Sequence, residues 1–369
     1  MECFKVIGGR KFDGKTRNIA SKNAILPILA CCLAISGEVV LRNCPRLSDI
    51  DAMLDIIRAT GGRAEWDSGN IVVDCTQSEP RDIGAELTGN IRSSVFVLGP
   101  LLTRFSTASV SYPGGCDIGL RPIDLHISGL RKLGAEVIDE GRKISVDGKN
   151  MRNSAVFLDF PSVGATENLI MASLLKSGKT IIHNPAREPE IVDLADFINL
   201  AGGKVLGAGG NVIVVEGVDK LNGCEYCPMP DRIVAGTLMI ASAIAEGDSV
   251  IENVDLRHLG SLTDMLSRCG VGITSYRDSV RVRAKKRPKA IGKTETQPYP
   301  GFPTDLQAQF VAFSAYCDGC SVMIENLFES RFKYVGELLR TGADITVRDR
   351  VAVVRGKKSL SGAEMEAGD

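Results

Sequence analysis

The sequence is poor in histidine, in net charge and in long apolar runs, and these shortages exclude several classes of function. Only three histidines occur among 369 residues, at positions 126, 183 and 258, and their spacing fits no metal site. Lys and Arg number 44 against 45 Asp and Glu, so no basic footprint for nucleic acid or an anionic membrane is present. No apolar run reaches the roughly 20 residues of a membrane helix, and the first residues lack a signal-peptide pattern.

Eleven cysteines contrast with these shortages, and their placement indicates reduced thiols. Several lie in apolar, helix-like stretches (Cys31, Cys32 and Cys75), as in cytoplasmic proteins. The pairs 224/227 and 317/320 have the internal spacing of zinc ligands, but the second pair closes a helix and opens a strand. We therefore predict a cytoplasmic protein with no metal site.

A repeat of about 70 residues is the main structural signal. Each copy begins with a β-branched strand, and the strands fall within 37–44, 107–112, 178–185, 247–254 and 319–326. An amphipathic helix follows each strand and ends at a glycine that stops it. These glycines are Gly61, Gly134, Gly202, Gly270 and Gly342.

A short hairpin and a second, more apolar helix complete a β-α-β-α-β-β unit, which predicts an α/β (α+β) fold. The second helices are predicted at 23–33, 92–104, 165–175, 233–245 and 305–316. Because these helices are apolar nearly all round, we expect each to be buried, with the sheets outside them. The chain is too long for one ordinary core, so two domains are expected.

Residues 112–122, Tyr-Pro-Gly-Gly-Cys-Asp-Ile-Gly-Leu-Arg-Pro, form a shaped loop, because three glycines and two prolines exclude a regular helix or strand. The loop brings a thiol, Cys116, close in sequence to the guanidinium of Arg121. A nearby cation holds a thiol pKa below its usual value of roughly 8.5, so Cys116 is a candidate acid or nucleophile. An inert, buried cysteine is the alternative on the loop alone.

Charged residues recur at the starts of the second helices (Lys22, Arg92 and Asp305) and in the loops after the first strands (Arg121 and Arg331). Helix N-termini favour anions, so the added cations predict a cleft that binds phosphate or carboxylate groups. For any single cation, a solvated surface charge is the alternative. Asp305 is either a helix-start residue that the dipole favours or a general base.

Six motifs spread over essentially the whole chain resemble one family. They lie at 21–24, 92–96, 113–126, 187–193, 302–305 and 329–332. Together they are similar to the UDP-N-acetylglucosamine 1-carboxyvinyltransferases. This resemblance implies transfer of the enolpyruvyl group of phosphoenolpyruvate to the 3-hydroxyl of UDP-N-acetylglucosamine with release of phosphate, without metal or organic cofactor. That reaction is the first committed step of peptidoglycan synthesis.

The resemblance also implies roles for individual residues. Cys116 resembles the general acid at the phosphoenolpyruvate methylene and the target of the epoxide antibiotic fosfomycin. Asp305 resembles the base for the sugar hydroxyl, and Lys22, Arg121 and Arg92 resemble the clamp on phosphoenolpyruvate. The resemblance places Lys22 among the catalytic residues as well. The remaining substrate-binding positions carried over are Asn23, Pro122, Ile123, Asp124, Leu125, Ser162, Val163, Gly164, Leu327 and Arg331, together with Asp305 itself.

The family fold is a two-domain, inside-out α/β barrel with three units in each domain. The resemblance therefore implies one domain at 20–230 and a second at 1–19 with 231–369. Because five units and a fraction are present, we expect a sixth unit and two arginines of the family to be missing here. We hypothesise a fragment of reduced stability and activity. Phe96 also stands where the family can carry Trp.

Two other hypotheses remain open from the sequence. The shikimate-pathway enolpyruvyl transferase shares the architecture but has no counterpart of the cysteine loop. A non-catalytic or weakly active fragment that binds UDP-N-acetylglucosamine is the other alternative. In each case we expect a monomer that binds small molecules, with neither nucleic acid nor membrane as partner.

Overall fold

The computed structural model describes residues 3–89, 91–114 and 123–367, and these residues fall into two compact units. The larger unit contains the described residues from 19 to 114 and from 123 to 229, and the smaller unit contains 3–18 and 230–367. Each unit has its own hydrophobic core. No helix within the described ranges is long and apolar enough to cross a membrane.

Helices and strands alternate along the chain. The helices are α1 (Lys22–Cys31), α2 (Ser48–Ala59), α3 (Ala85–Thr88), α4 (Leu98–Phe105), α5 (Asp124–Lys132), α6 (Val163–Ala172), α7 (Pro189–Leu200), α8 (Arg232–Ile244), α9 (Gly260–Arg268), α10 (Gln307–Tyr316) and α11 (Val335–Arg340). Short 3₁₀ helices cover Cys32–Ala34, Arg92–Val97, Leu256–Leu259 and Thr304–Leu306. The strands are β1 (Gly14–Arg17), β2 (Glu38–Leu41), β3 (Arg63–Asp67), β4 (Asn70–Asp74), β5 (Asp82–Ile83), β6 (Thr107–Ser111), β7 (Glu136–Asp139), β8 (Lys143–Asp147), β9 (Ala155–Phe157), β10 (Lys179–His183), β11 (Lys204–Leu206), β12 (Val212–Glu216), β13 (Glu225–Tyr226), β14 (Asp248–Glu252), β15 (Gly272–Ser275), β16 (Ser279–Arg283), β17 (Lys293–Glu295), β18 (Cys320–Ile324), β19 (Asp344–Arg348) and β20 (Val351–Arg355).

The strands of the described residues form five sheets of four strands with one shared topology. The larger unit contains β13-β2-β4-β3, β5-β6-β8-β7 and β9-β10-β12-β11, and the smaller unit contains β1-β14-β16-β15 and β17-β18-β20-β19. In every sheet the first strand is parallel to the second, and the last two pairings are antiparallel. The predicted β-α-β-α-β-β unit is therefore confirmed. Each described sheet is open at both edges, so none of them closes into a barrel by itself.

Two sheets take their first strand from a distant part of the chain. β1 pairs with β14, where Gly14 lies beside Ser249. β13 pairs with β2, where Glu225 lies beside Val40. The N-terminal strand thus belongs to the smaller unit, whereas the helix that follows it, α1, belongs to the larger unit.

The glycines predicted to end the amphipathic helices all have left-handed backbone conformations. Their φ angles lie between 81° and 96°, a region in which a side chain is strained. The glycines follow α2, α5, α7, α9 and α11 within two residues of the helix end. This prediction is confirmed, and it explains the regular spacing, since each repeat needs one glycine at this turn.

The second helices differ in how fully they are buried. In α1 every residue from Ala24 to Cys31 is buried, and in α6 every residue from Ala165 to Ala172 is buried. In α8, by contrast, Ile233, Val234 and Leu238 are only half-buried, so the expectation of burial all round is wrong for this helix. The reason is that α8 packs on α10 and on the sheet of β14 and β16, which cover one side of it.

Candidate functional site

The start of α1 carries two of the predicted site residues, Lys22 and Asn23, as its first two residues. Ser21 caps the helix, and its hydroxyl accepts a hydrogen bond from the Ala24 N–H at 3.4 Å. Lys22 Nζ is half-exposed and lies 2.8 Å from the carboxylate of Asp49 on α2. The sequence therefore presents a solvent-accessible ammonium group at a helix N-terminus, where an anion is favoured.

The start of α6 is built in the same way. Ser162 caps the helix, and its hydroxyl accepts a hydrogen bond from the Ala165 N–H at 3.4 Å. Val163 and Gly164 form the first turn. Arg92 opens a 3₁₀ helix that contacts both α1 and α6. Three predicted site segments of the larger unit therefore belong to elements that pack on one another.

Asn168, on α6, fixes the orientation of a neighbouring histidine. Its side-chain oxygen accepts a hydrogen bond from the Gly99 N–H at 2.9 Å, and its amide nitrogen donates to the Val95 carbonyl at 2.9 Å. These two backbone partners determine which end of the amide is the nitrogen. The same nitrogen donates to His126 Nδ1 at 2.7 Å, so the proton of the neutral imidazole lies on Nε2.

His126 lies beside Gly164 and is electrically neutral. Burial lowers the pKa of this imidazole to about 3, and the nearby Arg92 guanidinium lowers it further. A side chain at Gly164 would begin 3.0 Å from His126 Cε1 and 3.0 Å from a ring carbon of Phe96. Glycine therefore lets the α6 start approach both rings closely. The spacing of the histidines in the sequence argued only against a metal site and gave no indication of this arrangement.

Of the loop at residues 112–122 that contains Cys116, the structure describes only residues 112–114. The residues that follow the loop are described from 123 onward. Ile123, Asp124 and Leu125 open α5, with Ile123 at the N-cap position. Cys116, Arg121 and Pro122 lie outside the described residues. The roles assigned to those three residues therefore stay predictions from the resemblance.

Asp305 and Arg331 are brought together in the smaller unit. Asp305 lies in the 3₁₀ helix that leads into α10, as the sequence predicts. Arg331 Nη2 donates to Asp305 Oδ1 at 3.4 Å. The Arg331 side chain is 11% exposed and that of Asp305 is 40% exposed, so the carboxylate is accessible while its partner is largely enclosed.

Glu325 is a buried carboxylate close to two predicted site residues, and no local sequence pattern indicated it. Its side chain is fully buried just after β18, and its two carboxylate oxygens accept five hydrogen bonds from described residues. The donors are Thr296 Oγ1 (2.9 Å), Thr304 Oγ1 (2.9 Å), Gln307 Nε2 (3.2 Å), Leu327 N (2.8 Å) and Phe328 N (3.1 Å). Two of these donors flank Asp305, and another belongs to the predicted site residue Leu327.

The motif at 187–193 places acidic groups near α6. Glu188 occupies the N-cap position of α7, and Glu190 is buried in its first turn. Glu167, on α6, is also buried, and among the described residues its carboxyl group has no hydrogen-bond partner. Burial raises its pKa well above the usual value, and the carboxylates of Glu190 and Glu188 raise it further.

The ten cysteines in the described ranges are all free thiols. Cys75 follows β4, so its predicted place in a helix-like run is wrong. Cys317 ends α10 and Cys320 opens β18, as predicted. Within the described residues, no group of three or more His, Cys, Asp and Glu side chains is arranged to hold a metal ion.

Comparison with known proteins identifies the chain's relatives. The family model for EPSP synthase (3-phosphoshikimate 1-carboxyvinyltransferase) matches residues 7–369. UDP-N-acetylglucosamine 1-carboxyvinyltransferase 2 of Caldanaerobacter subterraneus is 44% identical over 369 residues, covering 100% of this chain and 88% of the relative. The UDP-N-acetylglucosamine 1-carboxyvinyltransferase of Thermotoga maritima is 43% identical over 366 residues, covering 99% and 87%.

Solved structures show the fold. The enolpyruvyl transferase NikO from Streptomyces tendae superposes with a TM-score of 0.85 at 21% identity, covering 95% of this chain and 83% of that one. EPSP synthase from Acinetobacter baumannii gives a TM-score of 0.72 at 18% identity, covering 96% and 84%. The fold is therefore that of the enolpyruvyl transferases, and the chain belongs to the UDP-N-acetylglucosamine 1-carboxyvinyltransferase family.

Proposed function

We propose that this protein transfers the enolpyruvyl group of phosphoenolpyruvate to the 3-hydroxyl of UDP-N-acetylglucosamine and releases inorganic phosphate. The observation that carries the proposal is 44% identity over the full chain to a relative of that name. The EPSP synthase structure is only 18% identical and supports the shared fold alone, so it does not favour the shikimate-pathway reaction. The binding-only alternative has no observation in its favour.

The proposed chemistry is an addition followed by an elimination. Cys116 donates a proton to the phosphoenolpyruvate methylene, which leaves an oxocarbenium-like carbon. Asp305 accepts the proton of the sugar 3-hydroxyl as its oxygen bonds to that carbon, which gives a tetrahedral ketal. Return of a methyl proton to the Cys116 thiolate and departure of phosphate then form the enol ether. The Arg331 guanidinium beside Asp305 orients the carboxylate that serves as the base.

The charges of the substrates explain the predicted cations. Phosphoenolpyruvate carries a phosphate and a carboxylate, so we assign Lys22, Arg92 and Arg121 to its binding. Lys22 exchanges its ion pair with Asp49 for the substrate phosphate. No step in this scheme uses a metal ion or an organic cofactor.

We assign the nucleotide sugar to the helix starts and to two loops. The first turn of α6, capped by Ser162, offers backbone N–H groups that suit a diphosphate. The resemblance assigns the same substrate also to Asn23, Pro122, Ile123, Asp124, Leu125, Val163 and Leu327.

The assay that tests this function measures phosphate released from phosphoenolpyruvate, with and without UDP-N-acetylglucosamine. We expect release only with both substrates, and a loss of at least about 100-fold in Cys116→Ala. Cys227→Ala, at an exposed thiol of the described residues, is the matched control and should keep full activity. Stabilisation by UDP-N-acetylglucosamine without any phosphate release would instead support the binding-only alternative.

We infer further that the two compact units correspond to the two domains that the resemblance implies, and that the protein acts in the cytoplasm as a monomer. Free thiols support a reducing compartment, and the two substrates are small molecules. Light scattering of the purified protein tests the monomer, and cell fractionation tests the compartment.

A further inference from the structure

The smaller unit departs from the repeat at one position. The segments 37–43, 178–184 and 247–253 each contain seven residues from the leading glycine to the asparagine, whereas 319–326 contains eight. In the first three segments the asparagine has a φ angle of 53–61°. Asn326 is not among the residues with positive φ. The extra residue therefore replaces the usual left-handed turn after the strand.

The extra residue turns an acidic side chain inward. In β14 the second and fourth residues are buried, and the fifth residue, Glu252, faces outward and is half-exposed. In β18 the second and fourth residues are again buried, and Glu325 follows as the sixth. Because strand side chains alternate with a period of two, one added residue moves the glutamate to the opposite face. Glu325 is consequently fully buried.

We propose that Glu325 is a positioning residue for Asp305, and this inference rests on the proposed function. Its Oε2 accepts from Thr304 and Gln307, which flank Asp305 at the start of α10. Its Oε1 accepts from the Leu327 N–H, in the loop that continues to Arg331. One buried carboxylate thus joins the segment of the base to the segment of its arginine partner.

The hydrogen bonds that Glu325 makes to these two segments, here called the Glu325 bridge, all have the same direction. All five partners donate to Glu325, and Gln307 turns its NH₂ group toward the carboxylate while its Oε1 accepts from the Tyr334 hydroxyl at 2.6 Å. Reversal of this amide would require Tyr334 to accept instead of donate. The two backbone N–H donors on the Oε1 side cannot reverse. An amide at position 325 therefore keeps its oxygen toward the loop and turns its NH₂ group toward Gln307, donor against donor.

The first variant is Glu325→Gln. It should break the link to α10, so we expect kcat for phosphate release to fall roughly 10- to 100-fold, since small misplacements of a reacting group have effects of that size. The KM for UDP-N-acetylglucosamine should change less than about threefold, because the pocket itself is not altered. Glu295→Gln, at a partly exposed strand residue in the same sheet, is the matched control and should leave kcat unchanged.

The second variant is the exchange Glu325→Gln with Gln307→Glu. It keeps one buried carboxylate and reverses the polarity of the bridge, because the new amide donates to Glu at 307, which still accepts from Tyr334. We expect kcat to return to within about threefold of wild type, where the bridge geometry is restored. Recovery of the melting temperature without recovery of kcat per folded molecule would overturn the inference, because it would show that the bridge supports stability and does not set the position of Asp305.

Two further outcomes separate this inference from the proposed function. An active wild type whose Glu325→Gln variant keeps kcat within twofold overturns the inference and leaves the function intact. A wild type that releases no phosphate overturns both. If Glu325→Gln does not fold, Thr304→Val removes a single hydrogen bond to Oε2 and tests the same link, with an expected fall in kcat of about threefold or more.

Discussion

His126 illustrates how one buried side chain contributes to the pH dependence of stability. Its imidazole is held neutral in the folded larger unit, with a pKa of about 3, because burial and the Arg92 guanidinium disfavour the charged form. The unfolded chain has the ordinary histidine pKa of about 6.5 and therefore takes up a proton first as the pH falls. This group thus stabilises the fold fully above pH 6.5 and loses that contribution progressively down to about pH 3.

We predict that replacement of His126 removes part of this pH dependence. Between pH 7 and pH 5, wild type should lose about 2 kcal/mol more free energy of unfolding than His126→Gln, from one proton bound only in the unfolded state. Urea unfolding followed by the fluorescence of Trp66, the one tryptophan of the chain, reports on the same unit.

His183→Gln is the control for this measurement, since His183 is only half-buried on the outer face of its sheet. It should follow the wild-type curve. Parallel pH curves for wild type and His126→Gln would contradict a neutral His126 in the folded state.

The catalytic prediction at residue scale concerns Asp305. Asp305→Asn keeps the size of the side chain and removes the base, so we expect phosphate release to fall at least about 100-fold. Asp318→Asn, at a largely exposed aspartate in the same unit, should behave as wild type. Equal activity of the two variants would exclude Asp305 as the base.

At the scale of elements, the glycines that end the amphipathic helices share one left-handed backbone conformation but have different neighbouring atoms. Gly134 has a φ angle of 91°, and a Cβ there would lie 2.8 Å from the Asn150 carbonyl oxygen. Gly202 has a φ angle of 96°, and a Cβ there would meet only the end of the Asn222 side chain at 3.5 Å. The two sites share the same backbone strain and differ in steric clash.

We therefore predict that Gly134→Ala is more destabilising than Gly202→Ala. The left-handed conformation alone should reduce the free energy of unfolding by roughly 1 kcal/mol at Gly202, and the backbone clash should bring the loss at Gly134 to about 2 kcal/mol or more. Both sites lie in the larger unit, so Trp66 fluorescence in urea compares them directly. The reverse order would show that the Asn150 segment adjusts freely.

Most helices and strands could be predicted from local sequence signals, whereas the burial and the hydrogen-bond partners of Glu325 could not. Strand alternation and the stop glycines act within one repeat, so the β-α-β-α-β-β order follows from neighbours in sequence. The partners of Glu325 lie up to 29 residues away, and those of His126 lie 42 residues away, where no local pattern indicates them. The one available signal for Glu325 was the eight-residue segment among seven-residue copies.

At the scale of the whole molecule, β1 and β13 each pair with a strand far away in sequence. This pairing predicts which amides lose protection when one of these two strands is removed. Removal of residues 1–17 should expose the amides of β14 in the smaller unit to hydrogen exchange, because β1 is its parallel neighbour. The amides of β2 should stay protected, although β2 is much nearer in sequence.

The reciprocal variant is Glu225→Pro in β13. It should expose the N–H groups of Val40 and Arg42, which donate to residues 224 and 226, and leave β14 protected. Hydrogen exchange with mass spectrometry measures both variants. Loss of protection in β2 after the N-terminal removal would contradict the strand pairing.

The pairing of β1 with β14 also sets the order of events during synthesis on the ribosome. The larger unit has all its strands once β13 has emerged, so it can fold while the rest is still being translated. β1 leaves the ribosome first but waits for a partner roughly 230 residues further along, a delay of about 10–50 s at ordinary elongation rates. Throughout that interval the nascent chain has an unpaired strand close in sequence to the exposed apolar side chains of Phe4, Val6 and Ile7. We therefore expect chaperones to bind this N-terminal segment during synthesis.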